Sequence, residues 1–180
     1  MMSVPLGQRV VMILATGLGV GYLPGPKGTY GSLVGVAYYF LLWQTGWLAV
    51  YFGLMFLGVL VGVWLAGHAE QILGRKDAQE IVIDEVACFP VAMLGSVIVF
   101  QRFTPDWSWG DNPLFYWGNL VVVFGIYRAL DILKPSLLRV TEAMEGGWGI
   151  MADDFLAGVC AAVISAVLLL SWFWCKSLLA

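Results

Sequence analysis

Apolar positions run along this chain in blocks too long for the half-buried face of a soluble helix. Trp47–Ala66, Leu114–Leu133 and Phe155–Trp174 are each apolar enough, and long enough, to cross a bilayer, which takes roughly 20 residues of helix. Ile81–Phe100 is a fourth block of this kind, broken only by Asp84, Glu85 and Pro90. Ser32–Trp43 is too short to cross alone. It ends at Gln44-Thr45-Gly46, a turn that pairs it with the next block or lets it enter the bilayer at a tilt. A helical piece at Gly7–Ala15 is expected at the membrane surface. Lipid offers the backbone no hydrogen bonds, so these segments are predicted to be helices. The expected fold is all-α, an integral membrane bundle of four or five membrane segments with a polar site at its cytoplasmic side. One domain over residues 1–180 is expected.

Polar stretches separate these blocks. Residues 16–31 hold six glycines and two prolines and read as a structured loop, not a helix. Residues 134–152 read as a second such loop. Residues 101–113 read as a polar turn with aromatic anchors. Threading the chain with Ser32–Trp43 and Trp47–Ala66 as a hairpin puts loops 1–31, 67–79 and 134–152 on one side. Arg9, Lys27, Arg75, Lys76, Lys134 and Arg139 fall on that side, against Arg102 and Lys176 on the other. The excess of positive charge marks the first side as cytoplasmic. Of the twelve acids, only Asp106 and Asp111 fall on the far side.

Composition agrees with a membrane protein. The chain is 61% hydrophobic and 12% charged, with a mean hydropathy of +0.86, where soluble domains are about half apolar and a quarter charged. Nine tryptophans suit interfacial belts. A net charge of −3 gives no reason to expect a nucleic-acid partner. Cys88, Cys160 and Cys175 lie in apolar segments without a CxxC and read as small buried hydrophobes. His68 is the only histidine and cannot make a zinc site alone. No cleavable signal peptide is read at the start. Oligomeric state is not written in the sequence.

Charges beside apolar helices are costly and usually mark function. In DAQEIVIDE, a helix would stack Asp77, Glu80 and Asp84 at i, i+3 and i+7, with Glu85 beside them. Close carboxylates repel unless a cation joins them, and an oxygen-only set suits Mg²⁺, Mn²⁺ or Ca²⁺. Asp77 and Glu80 could instead only favour a helix N-terminus. In YRALDILKP, Arg128 and Asp131 stand at i, i+3 and Lys134 follows. They form an internal ion pair with a snorkelling lysine, or a phosphate-binding cation with one more carboxylate. In GGWGIMADDFLAG, Asp153 and Asp154 open the last apolar helix, and one aspartate would suffice as a cap. In GYLPGPKGTYGS, backbone amides, Thr29, Ser32 and Lys27 could cradle an anion, although the spacing is not that of a P-loop. Together these describe a metal-assisted phosphoryl site. A transporter would need polar residues deeper in the helices, and residues 86–100 carry no charge.

In these blocks the chain resembles the phosphatidylglycerophosphatase A family of bacterial membrane lipid phosphatases. GYLPGPKGTYGSL, DxxxIVIDE, RALDILKP and GGWGIMADDFLAG occur in the family's order. The resemblance implies a Mg²⁺-dependent enzyme of phospholipid biosynthesis in the bacterial inner membrane. It would remove the terminal phosphate of phosphatidylglycerophosphate to leave phosphatidylglycerol. Asp84, Glu85, Asp153 and Asp154, with Asp77, Glu80 and Asp131, would hold one or two ions. Arg128, Lys134, Thr29, Ser32 and Lys27 would bind the substrate phosphate. Asp84, Glu85, Asp131 and Asp154 are the expected catalytic acids. Two departures stand out: Lys27-Gly28 precede the threonine where the family has proline and glycine, and Cys88 stands where it usually has glycine.

Overall fold

The computed structural model describes residues 5–76, 78–104, 112–133 and 144–179. Among them there are six α-helices and no strand: α1 (Leu6–Ala15), α2 (Lys27–Trp43), α3 (Leu48–Leu73), α4 (Ile83–Phe103), α5 (Pro113–Leu133) and α6 (Gly146–Leu179). Four of these, α3 to α6, are long and apolar enough to cross a membrane. The fold is a helical membrane bundle.

Local chemistry sets several boundaries. Gly74, at φ 63°, closes α3 in the left-handed conformation and donates its amide to the Glu70 carbonyl. Pro113 opens α5, where its missing N–H costs nothing. The Asn112 side chain accepts the Phe115 amide there at 3.3 Å. Pro90 stands inside α4. Its carbonyl accepts the Tyr51 hydroxyl of α3 at 2.7 Å, which ties the two helices at the proline.

Helix α4 lies at the centre. About 67% of its most apolar window is buried, against 22% for α5. Small residues let its neighbours close on it. A Cβ on Gly95 would overlap the Ala162 carbonyl of α6, and one on Gly158 would stand 3.1 Å from the Cys88 carbonyl. On the other side, a Cβ on Gly35 of α2 would stand 2.7 Å from Phe89. The main core follows from this, with Phe89, Val91, Met93, Tyr127 and Met151 buried between α2, α4, α5 and α6. Cys88 is fully buried in that core, Cys160 is half-buried and Cys175 is exposed.

Three boundaries differ from the sequence expectation. Helix α2 starts at Lys27, five residues before Ser32, so the end of the glycine-rich stretch is helical. Gly28, Gly31 and Gly35 fall on the face of α2 turned to α4, and close packing offsets their poor helix propensity. Helix α6 starts at Gly146, not Phe155, and spans 34 residues, about 51 Å at 1.5 Å per residue. Asp153 and Asp154 therefore lie in its third turn and are not caps. Residues 78–82 are not helical, so Glu80 and Asp84 do not stack on one helical face. Asp77 lies outside the described residues.

Candidate active site

Helices α2, α4 and α6 begin at the same end of the bundle, where α3 and α5 finish. Between them is a cavity of about 600 Å³. Among the described residues its walls carry six carboxylates (Glu70, Asp84, Glu85, Asp131, Asp153, Asp154) and three cations (Lys27, Lys76, Arg128). This is the end that threading assigned to the acid-rich loops.

The centre of the cavity is an acidic group. One carboxylate oxygen from each of Asp84, Glu85 and Asp154 lies within 4.8 Å of the others. Asp84 and Glu85 stand in the first turn of α4. Asp154 stands on the buried stripe of α6 that runs Gly147, Met151, Asp154, Gly158, Ala161, and is 3% exposed. Asp84 Oδ1 and Glu85 Oε2 are buried with no hydrogen-bond partner. Three close anionic side chains in an apolar bundle, two of them with an orphaned oxygen, are unstable without positive charge or a shared proton. An oxygen-only donor set of this size fits a hard divalent cation, Mg²⁺ included. Asp153 lines the same cavity but is not one of the three.

Arg128 is the cation nearest this group. Its Nη1 lies 2.6 Å from Asp131 Oδ2, 3.9 Å from Glu85 Oε1 and 3.4 Å from the Ser32 hydroxyl, to which it donates. Its Nε is buried and unpartnered, so the guanidinium keeps a donor in reserve. The Arg128–Asp131 ion pair read from the sequence is present, and both residues also line the cavity. Gly28 makes room for it. A Cβ there would stand 2.5 Å from Glu85 Oε1 and 2.7 Å from Arg128 Nη2.

The other candidates are placed as follows. Lys27 lines the cavity and pairs with Glu80 at 3.8 Å. Glu80 also takes Arg75 at 3.2 Å and is not a member of the acidic group. Its own backbone amide, then the Arg75 guanidinium, hold its carboxyl below the usual range. Ser32 is fully buried and donates to the Gly28 carbonyl at 2.9 Å, so it supports Arg128 from behind. Thr29 is half-buried and, like Ser32, does not line the cavity. Lys134 lies outside the described residues.

The glycine-rich stretch has a different role from the cradle expected of it. The amides of Gly17, Leu18, Gly19, Gly21, Tyr22 and Leu23 all donate to backbone carbonyls within the stretch or the end of α1. Only Gly25, Lys27 and Gly28 reach the cavity. The rest braces the start of α4. Val82 donates its amide to the Ala15 carbonyl at 2.9 Å, and a Cβ on Gly21 would overlap the Glu80 carbonyl. Sequence reasoning also passed over Glu70, Lys76 and Gln79 on the cavity wall. The available signal was the threading, which put loop 67–79 on this side.

The sequence profile of the phosphatidylglycerophosphatase A family matches residues 13–169, most of the chain and every element of the cavity. The chain belongs to the phosphatidylglycerophosphatase A family. A phosphatidylglycerophosphatase A of Escherichia coli K12 is 33% identical over 154 residues, 84% of this chain and 79% of that one. One of Haemophilus influenzae is 31% identical over 155 residues, 86% of this chain and 85% of that one. A protein of Bacteroides thetaiotaomicron, provisionally named a phosphatidylinositol-3-phosphatase, is 33% identical over 160 residues, 87% of this chain and 91% of that one. No solved structure is similar to the chain. Membership makes the chain a lipid phosphatase, a phosphoric monoester hydrolase. Of the two departures from the family pattern, Lys27 is a cavity-wall residue, and Cys88 sits in the core with its thiol 3.9 Å from the Met151 carbonyl.

Proposed function

We propose that the chain hydrolyses the terminal phosphomonoester of phosphatidylglycerophosphate to phosphatidylglycerol and phosphate, with Mg²⁺, at the cytoplasmic face of a bacterial inner membrane. The observation that carries this reading is the acidic group of Asp84, Glu85 and Asp154 beside Arg128, set at one end of an apolar bundle. The names of the Escherichia coli and Haemophilus influenzae relatives support the substrate. The excess of basic residues on the cavity side supports the cytoplasmic placement.

Charge supports the ion. The described lining, six carboxylates against three cations, would repel a phosphate dianion from this cavity. Asp84, Glu85 and Asp154 would hold Mg²⁺, with Asp153 adjacent. When bound, the ion supplies positive charge to phosphoryl oxygens and acidifies water. The chain does the rest. Arg128, fixed by Asp131 and Ser32, lines the cavity with its guanidinium and would bind the phosphoryl oxygens. Lys27 adds charge from the start of α2. The N-termini of α2, α4 and α6 bring their positive dipole ends to the same cavity. Burial of Arg128 and Asp154 keeps bulk water from screening these interactions. The acyl chains stay in lipid, so the substrate need not be extracted.

The test is phosphate release from phosphatidylglycerophosphate in detergent micelles, beside phosphatidic acid and phosphatidylinositol 3-phosphate. The reading expects the first lipid to be the best substrate and EDTA to stop the reaction. Turnover confined to either of the other lipids would overturn it. The lipid in the Bacteroides relative's name shares one feature with phosphatidylglycerophosphate. In both, the phosphomonoester sits on a polyol joined to the lipid through a phosphodiester.

A further inference from the structure

Among the described residues three cations line the cavity, and two are committed. Arg128 is held by Asp131 and Glu85, and Lys27 is paired with Glu80. Lys76 makes no ion pair among the described residues, yet its side chain walls the same cavity. It also stands at a junction. A second pocket of about 290 Å³ adjoins the first and shares Glu70, Lys76 and Gly146 with it. Arg75 and Glu145 line this second pocket, and none of the Asp84, Glu85 and Asp154 group does. The phosphatase cavity thus continues past a cation that pairs with no acid among the described residues.

A phosphomonoester alone does not need this extension. The proposed substrate carries two phosphates separated by a polyol, and only one of them can occupy the acidic group. The other is a monoanionic diester, which a lysine ammonium binds as a point charge and a divalent-metal group does not require. We infer that Lys76, at the junction of the two pockets, binds the inner phosphodiester and makes this enzyme selective for phospholipids whose phosphomonoester is carried on a diester-linked head group. Lys76 is a specificity residue, remote from the bond that breaks. The inference rests on the phosphatase reading above but is separable from it.

Lys76 is exposed in the turn that follows α3, so its replacement leaves folding intact. The experiment measures kcat and KM of wild type, Lys76→Gln and Lys76→Arg on phosphatidylglycerophosphate and on phosphatidic acid, which has the monoester and no diester. Loss of one charge-assisted contact predicts a KM about tenfold higher for Lys76→Gln on phosphatidylglycerophosphate, with kcat unchanged. Phosphatidic acid kinetics should not move, and Lys76→Arg should restore most of the difference. An equal loss on both lipids, or no change on either, overturns the subsite while leaving the phosphatase reading standing. Wild-type protein that cleaves phosphatidic acid but not phosphatidylglycerophosphate overturns both.

Discussion

The two ends of the bundle are built from the same helices and have opposite chemistry. At one end, α4 contributes Asp84 and Glu85, α5 contributes Arg128 and Asp131, and α6 contributes Asp153 and Asp154. At the other end, the same three helices contribute rings. Phe115 lies 4.4 Å from Trp172 and Phe100 lies 4.6 Å from Tyr116, centroid to centroid. Two cations described there lie over aromatic faces, Arg102 over Phe103 and Lys176 over Trp172. Toward the aromatic end, the one buried unpartnered side-chain atom among the described residues is the neutral Asn119 Nδ2. The acidic end leaves Asp84 Oδ1, Glu85 Oε2 and Arg128 Nε buried and unpartnered. Unpartnered polar atoms in an apolar bundle cost stability, and they persist where a ligand completes them. The difference separates the end that acts from the end that anchors.

Substitutions should therefore split into two classes. The largest effect is expected at Asp154 and Asp84. Asparagine at either should lower kcat by at least ~10²-fold with the thermal unfolding midpoint in detergent unchanged or raised, since each removes one charge from a repelling group. A fall in the midpoint as large as the fall in activity would make these residues structural. Arg128→Lys should cost about 10- to 100-fold in kcat/KM, because an ammonium on one nitrogen lacks the planar fork that holds Asp131 and reaches the cavity at once. Wild-type turnover by that variant would remove the guanidinium from the site. Gly28→Ala sharpens the contrast. Its Cβ would collide only with the tips of Glu85 and Arg128, which can swing aside. Activity should fall about tenfold with stability nearly kept. Smallest in effect on chemistry is Phe100→Ala at the aromatic end. It should cost about 3 kcal/mol of stability, read from chemical denaturation, while the folded fraction keeps its kcat.

The acids and Arg128 were legible in the sequence because a charge inside an apolar block has few innocent explanations. Asp84 and Glu85 break one block, and Arg128 and Asp131 sit near the end of another. The limits of the helices were less legible. Lys27-Gly28 and Gly146-Gly147 read as loop because glycine is a poor helix former in water, whereas here it buys close approach to α4 and α3. The role of residues 17–23 was hidden for a different reason. A glycine that braces a distant strand of backbone looks, in sequence, like one that exposes an amide to an anion. Its partner, the Glu80 carbonyl, lies far along the chain. The place of Glu80 was hidden too, since a carboxylate near two others in sequence pairs in space with Lys27 and Arg75.

The most direct test is phosphate release from phosphatidylglycerophosphate by wild type and Asp154→Asn, measured side by side across a Mg²⁺ titration that begins in EDTA. The account predicts no release by wild type in EDTA, recovery as Mg²⁺ rises, and no recovery by the variant at any concentration. Release by wild type that ignores EDTA, or a variant that matches wild type, would contradict it.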